Sequence, residues 1–337
     1  MSRVEGQMLE GLEIVVLDVG HGNTTILRDG KDVAVVDCSR NNAVYDELAR
    51  VGDRQIGHLI ISHSDEDHMS GAIKLIARGI SIGLVSANAD SAKDSAAWRD
   101  FRTVVEEQIL LGKTRLSSVH FGGAVELAVG RMTLQVLHPD PSLVLHGPTQ
   151  KSSKFEGAVD PNDCSAVLRV MVDEKPLALL AGDITRYGFD RMLARLPASL
   201  KAPLLVFPHH GGRSGSGNDR AFARELCETV QPEIVAISHG RNSGYGTPRQ
   251  EIIEGVRDYS TSVKILCTQL GRACDARVDI PSPRHPSFRP SDGDRRGCRC
   301  AGTMVFKADR GGQLKIAPNF ADHRGFVTSV EHALCEA

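Results

Sequence analysis

His63-Ser64-Asp65-Glu66-Asp67-His68 is the stretch on which the reading turns. Two imidazoles and two aspartates fall within six residues, directly after the apolar run 58–62. Imidazole nitrogen and carboxylate oxygen are ligands of divalent metals. A loop at the end of a buried strand can turn all four inward, whereas a continuous helix or strand splays some of them away. The alternative is a solvated acidic turn, and the position at a strand end rather than on a helix face argues against it. Glu66 reads as a residue facing solvent.

Working outward, two later segments carry the same chemistry. The run 179–183 is apolar and ends in Gly182-Asp183, delivering one carboxylate. The run 204–207 is apolar and ends in Pro208-His209-His210-Gly211, delivering one or two imidazoles. Strand ends on one side of a sheet can converge, so the three segments together point to one site.

The rest of the chain supplies the frame. Runs 12–18, 24–28 and 32–37 are rich in β-branched residues and are separated by turn residues, which predicts a β-meander. The spacing of Val44, Leu48 and Val51 predicts a helix over 42–51. Helices are further predicted at about 70–78, 95–111, 186–196, 219–230 and 249–259. Strands are predicted at 84–86, 117–121, 132–137, 165–172, 177–181, 204–207, 234–237 and 263–267. The segment 139–161 reads as a long loop and 281–296 as irregular, with a hairpin at 302–308 and 313–316. The domain expectation is an α/β unit over 10–267, in which two sheets lie between helices, followed by a C-terminal extension over 268–337.

The chain has 337 residues, 41% of them hydrophobic and 24% charged, which suffices for a large core and excludes wholesale disorder. A formal net charge of −2 gives no bulk attraction to nucleic acid, although a local Arg cluster beside a metal can still hold a phosphate. No run approaches the roughly 20 apolar residues that cross a bilayer. Residues 1–11 lack the apolar core of a secretory signal. The expectation is a cytoplasmic protein without a membrane partner, its eight Cys reduced or bound to metal.

The ordered set of motifs resembles the metallo-β-lactamase superfamily in its His-x-Asp-x-Asp-His variant. Within it, Leu17-Asp18-Val19-Gly20-His21-Gly22-Asn23, Val35-Val36-Asp37, Ala181-Gly182-Asp183, Pro208-His209-His210-Gly211 and Gly240-Arg241-Asn242-Ser243-Gly244-Tyr245-Gly246 resemble the soluble hydrolase domain of ComEC-type competence proteins and its stand-alone relatives, over about 10–267. The resemblance implies an αββα four-layer sandwich and two divalent metal ions. It implies that His63 and Asp65 serve one metal and Asp67 and His68 the other. Asp183 would bridge, and His209 would complete the second position, with His210 the fallback. Asp67, Asp183 and His209 would then be catalytic. Asp18 and Asp37 read as orienting or structural carboxylates. Departures from the family pattern are Asp65 in place of a second His, Val206 in place of Lys and Thr247 in place of His. A counterpart of the superfamily's intervening His is missing, His138 and the segment 162–165 being the candidates.

Such a centre lowers the pKa of its bound water and supplies a nucleophile at neutral pH. An oxygen-rich first position favours Mn²⁺ or Mg²⁺ relative to a His-rich zinc site, with Zn²⁺ still admitted. The function expected is a metal-dependent hydrolase, a phosphodiesterase or nuclease first. The alternatives are a hydrolase of small esters or lactones on the same fold, and a degenerate, non-catalytic binding protein. Arg213, Ser214, Arg241 and Asn242 are candidates to hold the phosphate of a nucleotide or nucleic acid. Cys267, Cys274, Cys298 and Cys300 flank the irregular segment and are candidates for a structural zinc, against a simpler reading as reduced thiols.

Overall fold

Strand β1, Leu12–Val16, shows the rule that builds the molecule: Leu12, Ile14 and Val16 enter one apolar core while Val15 enters another. Alternate side chains of a strand point to opposite faces, so a strand that is apolar throughout must be covered on both sides. In β3, Asp32–Val36, Ala34 and Val36 join the core of Leu12 and Ile14, and Val33 and Val35 the other. The computed structural model describes residues 9–118, 126–148, 159–196, 200–277, 281, 283, 289–309 and 312–336.

The first sheet has eight strands. With β1 and β3 it holds β2 (Thr25–Asp29), β4 (Gln55–Ile60), β5 (Ser81–Ser86) and β6 (Arg115–Ser117). Its second edge is β14 (Met304–Ala308) and β15 (Leu314–Ala317), in the order β15-β14-β1-β2-β3-β4-β5-β6. The strands from β3 to β6 run parallel and the others antiparallel. The second sheet, in the order β13-β12-β11-β10-β9-β8-β7, is built of β7 (Glu126–Val129), β8 (Met132–His138), β9 (Val167–Val172), β10 (Lys175–Leu180), β11 (Leu204–Val206), β12 (Ile234–Ile237) and β13 (Lys264–Cys267). Here β10 to β13 are parallel.

Helices cover both outer faces. Against the first sheet lie α1 (Ala43–Val51), α3 (Gly71–Ala77) and α4 (Ala96–Leu110), which bury Val44, Leu48, Leu75, Trp98, Phe101 and Val105. The short α2 (Glu66–Met69) precedes α3, and α5 (Pro141–His146) follows β8. Against the second sheet lie α6 (Arg186–Arg195), α7 (Asp219–Val230) and α8 (Gln250–Tyr259), which bury Phe189, Phe222, Leu226, Ile252 and Val256. The remaining helices are α9 (Asp292–Arg296) and α10 (Phe320–Val327). The result is helix, sheet, sheet, helix, with the core of Leu12, Leu168, Leu180 and Val206 between the sheets.

The hairpin expected at the C-terminus is present, and β14 pairs with β1, so it continues the first sheet. Part of the segment expected to be a loop is ordered. Asp140 caps α5 by accepting from the Ser142 and Leu143 amides, with Pro141 at the first helical position, a signature that outweighs loop-like composition. Residues 149–158 of that segment, 119–121 of an expected strand and 284–288 of the irregular segment lie outside the described residues.

Candidate metal centre

The carboxyl ends of β3, β4, β10 and β11 meet at one place. His63 stands in the turn after β4, and Asp67 and His68 stand on α2 rather than in a continuous loop. Each buried imidazole is fixed by its Nδ1. Ser62 Oγ donates to Asp37 Oδ2 at 2.9 Å, so its bond of 3.0 Å to His63 Nδ1 must be donated by the imidazole. Asp37 Oδ2 also lies 2.8 Å from His68 Nδ1, and the Ser238 carbonyl lies 2.9 Å from His210 Nδ1. With Nδ1 donating in all three, the Nε2 lone pairs are bare, and none of the three has a hydrogen-bond partner.

Those lone pairs face carboxylates. His63 Nε2 is 3.5 Å from Asp65 Oδ2. His68 Nε2 is 3.3 Å from Asp183 Oδ1, and His210 Nε2 is 3.6 Å from Asp183 Oδ2 and 3.3 Å from Asp67 Oδ2. Buried lone pairs aimed at carboxylate oxygens repel unless a positive charge lies between them. The ionisation directions show the same demand for positive charge, which a proton on the imidazoles meets when no cation does. Burial alone would raise Asp183 and Asp67, yet His68 and His210 beside them hold both well below the usual carboxylate range. Burial alone would lower His68, yet Asp183 and Asp37 lift it well above an ordinary imidazole.

Two groups have ligand atoms within 4.8 Å of one another: His63, His68 and Asp183, and His21, Asp67 and His210. The residues therefore fit divalent cations, with the two Asp183 oxygens directed one to each group. His21 is the member that sequence reasoning missed. It sits between two glycines that read as a plain turn. Gly22 has φ +120°, and a Cβ there would lie 2.5 Å from the Asp67 carbonyl, so only glycine lets this loop approach α2. Gly240 packs equally close to the His21 amide, at 2.5 Å from an added Cβ. His21 Nε2 consequently comes within 3.4 Å of Asp67 Oδ2, and its ring stacks on Tyr245 with centroids 4.8 Å apart.

Other expected site residues are placed differently. His209 and His210 both adopt left-handed backbone, φ 52° and 55°, and this turn carries His210, not His209, into the cluster. His209 lines the adjoining cleft. Asp65 keeps its place next to His63 but also pairs with the Lys93 ammonium. Asp18 does not reach an imidazole: it accepts from Gln269 Nε2 at 2.9 Å, Ser291 Oγ at 2.5 Å and the Gly293 amide at 2.8 Å. His138 donates to the Asp163 carbonyl at 2.7 Å, outside both groups. Ser165, from the other candidate segment, contacts His63 Nδ1 at 3.3 Å and receives the Asp183 amide at 2.8 Å.

The cleft over the cluster has a volume of about 530 Å³, and Arg213 and Tyr245 stand on its wall. Ser214 does not, because its hydroxyl is turned to Asp219 Oδ1 at 2.8 Å. Nor is Arg241 free for a phosphate. Its guanidinium donates to the carbonyls of Leu270, Asp275 and Arg277 at 2.7–2.9 Å, which are internal acceptors. Asn242 accepts from Arg272 at 3.0 Å and borders a neighbouring cavity of about 390 Å³.

The four cysteines form no group of mutually close ligands among the described residues. Cys298 Sγ turns to Gln269 Oε1 at 3.3 Å, while Cys300 Sγ meets His323 Nε2 at 3.4 Å. Burial pushes the thiols of Cys267 and Cys300 well above their ordinary range, which opposes thiolate ligation there.

Fold and site together define a four-layer sandwich with a candidate His/Asp metal site at its strand ends. Residues 17–149 match the family model described as "Metallo-beta-lactamase superfamily", a span that includes His21 and the His63–His68 turn. The match supports that superfamily over these residues, and the two sheets between helices are those of the metallo-β-lactamase fold. No curated protein matches the sequence significantly. Three solved structures illustrate the likeness. A metal-dependent hydrolase of the β-lactamase superfamily is 15% identical, with a TM-score of 0.49, over 76% of this chain and 95% of that one. A metallo hydrolase from the archaeon Ignicoccus hospitalis is 14% identical, with a TM-score of 0.43, over 75% and 94%. The short form of human tRNase Z is 12% identical, with a TM-score of 0.40, over 68% and 92%.

Proposed function

We propose that the protein is a metal-dependent hydrolase acting on phosphodiesters. The observation that carries the reading is the set of three buried Nε2 atoms that have no hydrogen-bond partner and are aimed at carboxylate oxygens. In this reading His63, His68 and Asp183 hold one divalent ion, with Asp65 beside them, and His21, Asp67 and His210 hold the second. Ions bound there activate water and neutralise charge on a phosphoryl oxygen. Asp37 and Ser62 fix the ring tautomers. Arg213, exposed on the cleft wall, offers a cation to a phosphate oxygen. Beyond His21, the neighbouring cavity carries Lys74 with Arg40 and Arg296, the two arginines paired with Glu66 and Asp292, and the positive balance suits an anionic substrate better than a neutral lactone or ester.

Asp65 beside His63 leans the first position toward Mn²⁺ or Mg²⁺, while the four imidazoles of the cluster still admit Zn²⁺. The likeness to the ComEC-type hydrolase domain, and to nucleases through it, is part of the proposal and rests on the ordered motifs. So is residence in the cytoplasm, which eight unpaired thiols suit. Among the described residues no helix is long and apolar enough to cross a membrane.

The test is elemental analysis of the purified protein together with hydrolysis of bis(p-nitrophenyl) phosphate, oligonucleotides, esters and lactones in Mn²⁺, Mg²⁺ or Zn²⁺. The expected result is retained metal and phosphodiester hydrolysis that Asp67→Ala lowers by at least a thousandfold. Activity confined to esters or lactones, or a protein that holds no metal, would overturn the proposal.

A further inference from the structure

Four carboxylates surround the imidazoles of the centre: Asp37, Asp65, Asp67 and Asp183. Among the described residues, Lys93 is the Lys or Arg that pairs with any of them. Its ammonium meets Asp65 Oδ1, while Asp65 Oδ2 faces His63 Nε2 at 3.5 Å. One carboxylate thus has one oxygen on a fixed cation and the other on the first cluster.

Lys93 is delivered there by a built loop. Asp90, 2% exposed, receives the Lys93 amide on Oδ1 at 3.1 Å and the Ser64 hydroxyl on Oδ2 at 2.5 Å. The Asp90 carbonyl accepts from the indole of buried Trp98 at 3.0 Å. The loop is therefore tied both to the residue preceding Asp65 and to α4. The Lys93 side chain is only 19% exposed, so little solvent screens its charge.

We infer that Lys93 is an internal counter-cation of the metal centre: it takes one Asp65 oxygen and makes the position beside His63 the weaker of two unequal metal positions. This rests on the metal-centre reading. Among the described residues the group formed by His21, Asp67 and His210 meets no ammonium, whereas a divalent ion approaching His63 and Asp65 meets a like charge across a single carboxylate. Repulsion at that range in a partly desolvated site is substantial. Lys93 would also keep the carboxylate oriented when the position is empty, so that the weak ion exchanges without collapse of the turn.

The experiment titrates metal-free protein with Mn²⁺ by calorimetry, with electron paramagnetic resonance counting the bound ion. Wild type should show two classes of site at least tenfold apart. Lys93→Met, which keeps the aliphatic stem, should tighten the weaker class tenfold or more and move the tighter class less than threefold. Lys93→Arg should restore the wild-type gap, and Asp65→Asn should weaken the weaker class further. Should Lys93→Met unfold, Lys93→Gln is read in its place. Two equal sites in the wild type, or a weaker class that stays put or loosens when the ammonium is removed, would overturn the inference alone. Wild-type protein that binds no Mn²⁺ would instead overturn the metal-centre reading beneath it.

Discussion

Asp37 binds four groups at once: the Ser62 amide at 2.7 Å, the Ser62 hydroxyl at 2.9 Å, His68 Nδ1 at 2.8 Å and, more distantly, Asn23 Nδ2 at 3.5 Å. It touches no substrate, yet it decides which His68 nitrogen is bare. Carboxylates that orient metal-bound imidazoles typically contribute about 10- to 100-fold in metal affinity. Asp37→Ala should therefore weaken metal binding by a factor in that range, measured by competition with a chromogenic chelator. A second pair of variants separates neighbours in the cleft. His21→Ala should reduce the metal retained after dialysis and cut hydrolysis at least a hundredfold, whereas His209→Ala should keep the full metal content. Equal metal loss in both would contradict the grouping of His21 with Asp67 and His210. These residues also mark where sequence reading stops. The six-residue turn and Asp183 were legible because like chemistry recurs at strand ends. His21 was not, because it comes from a turn between β1 and β2 whose approach to α2 depends on two glycines meeting distant backbone. The choice of His210 over His209 depends on left-handed backbone at both, which adjacent identical residues do not reveal.

Helices and strands with a clear apolar period were readable at the scale of the element. Trp98, Phe101 and Val105 on α4, and Phe222, Leu226 and Val230 on α7, are spaced to land on one face, and those faces are buried. Two short pieces were not: β7 has four residues of which Val129 alone is buried, and α5 is only six residues long, held by its Asp140 cap rather than by a period. The Gly-rich segment 240–246 carried polar residues that suggested ligand binding, but loops also need internal partners for their backbone carbonyls. Arg241 supplies three, to Leu270, Asp275 and Arg277. Arg241→Ala should accordingly lower stability by on the order of 2 kcal/mol, since hydrogen bonds from a charged donor are the stronger kind. KM for a small phosphodiester should change less than threefold. Thermal unfolding and steady-state kinetics on the same preparation decide between brace and binding residue. A large KM effect without loss of stability would return Arg241 to the substrate.

For the whole molecule, the two sheets share one core, and the C-terminal segment is part of it. Met304, Phe306 and Ala308 of β14 enter the core between the sheets, and β14 hydrogen-bonds along β1. Asp18, fully buried at the end of β1, accepts from the Gly20 amide at 3.3 Å and from Gln269, Ser291 and Gly293, the last three all after residue 267. A chain ending at Cys267 would leave that carboxylate with the Gly20 amide alone and β1 as an open apolar edge. It should show no cooperative unfolding transition by calorimetry, and a sharp transition would refute this. Acid should act on the whole fold as well. Burial holds His138 at about 4, below an unfolded imidazole near 6.5, and leaves its Nδ1 unpartnered. Its folded pKa is depressed, so between pH 6.5 and 4 the unfolded chain takes up a proton that the folded ring refuses, and stability falls as pH falls. At pH 5 the cost is on the order of 1–2 kcal/mol for this ring. Urea midpoints at pH 7.5 and 5.0 measure it, with chelator present throughout so that metal release does not contribute. His138→Gln keeps a donor for the Asp163 carbonyl but cannot titrate, and should flatten the slope by that amount. An unchanged slope in this variant would mean that the acid sensitivity arises elsewhere in the core.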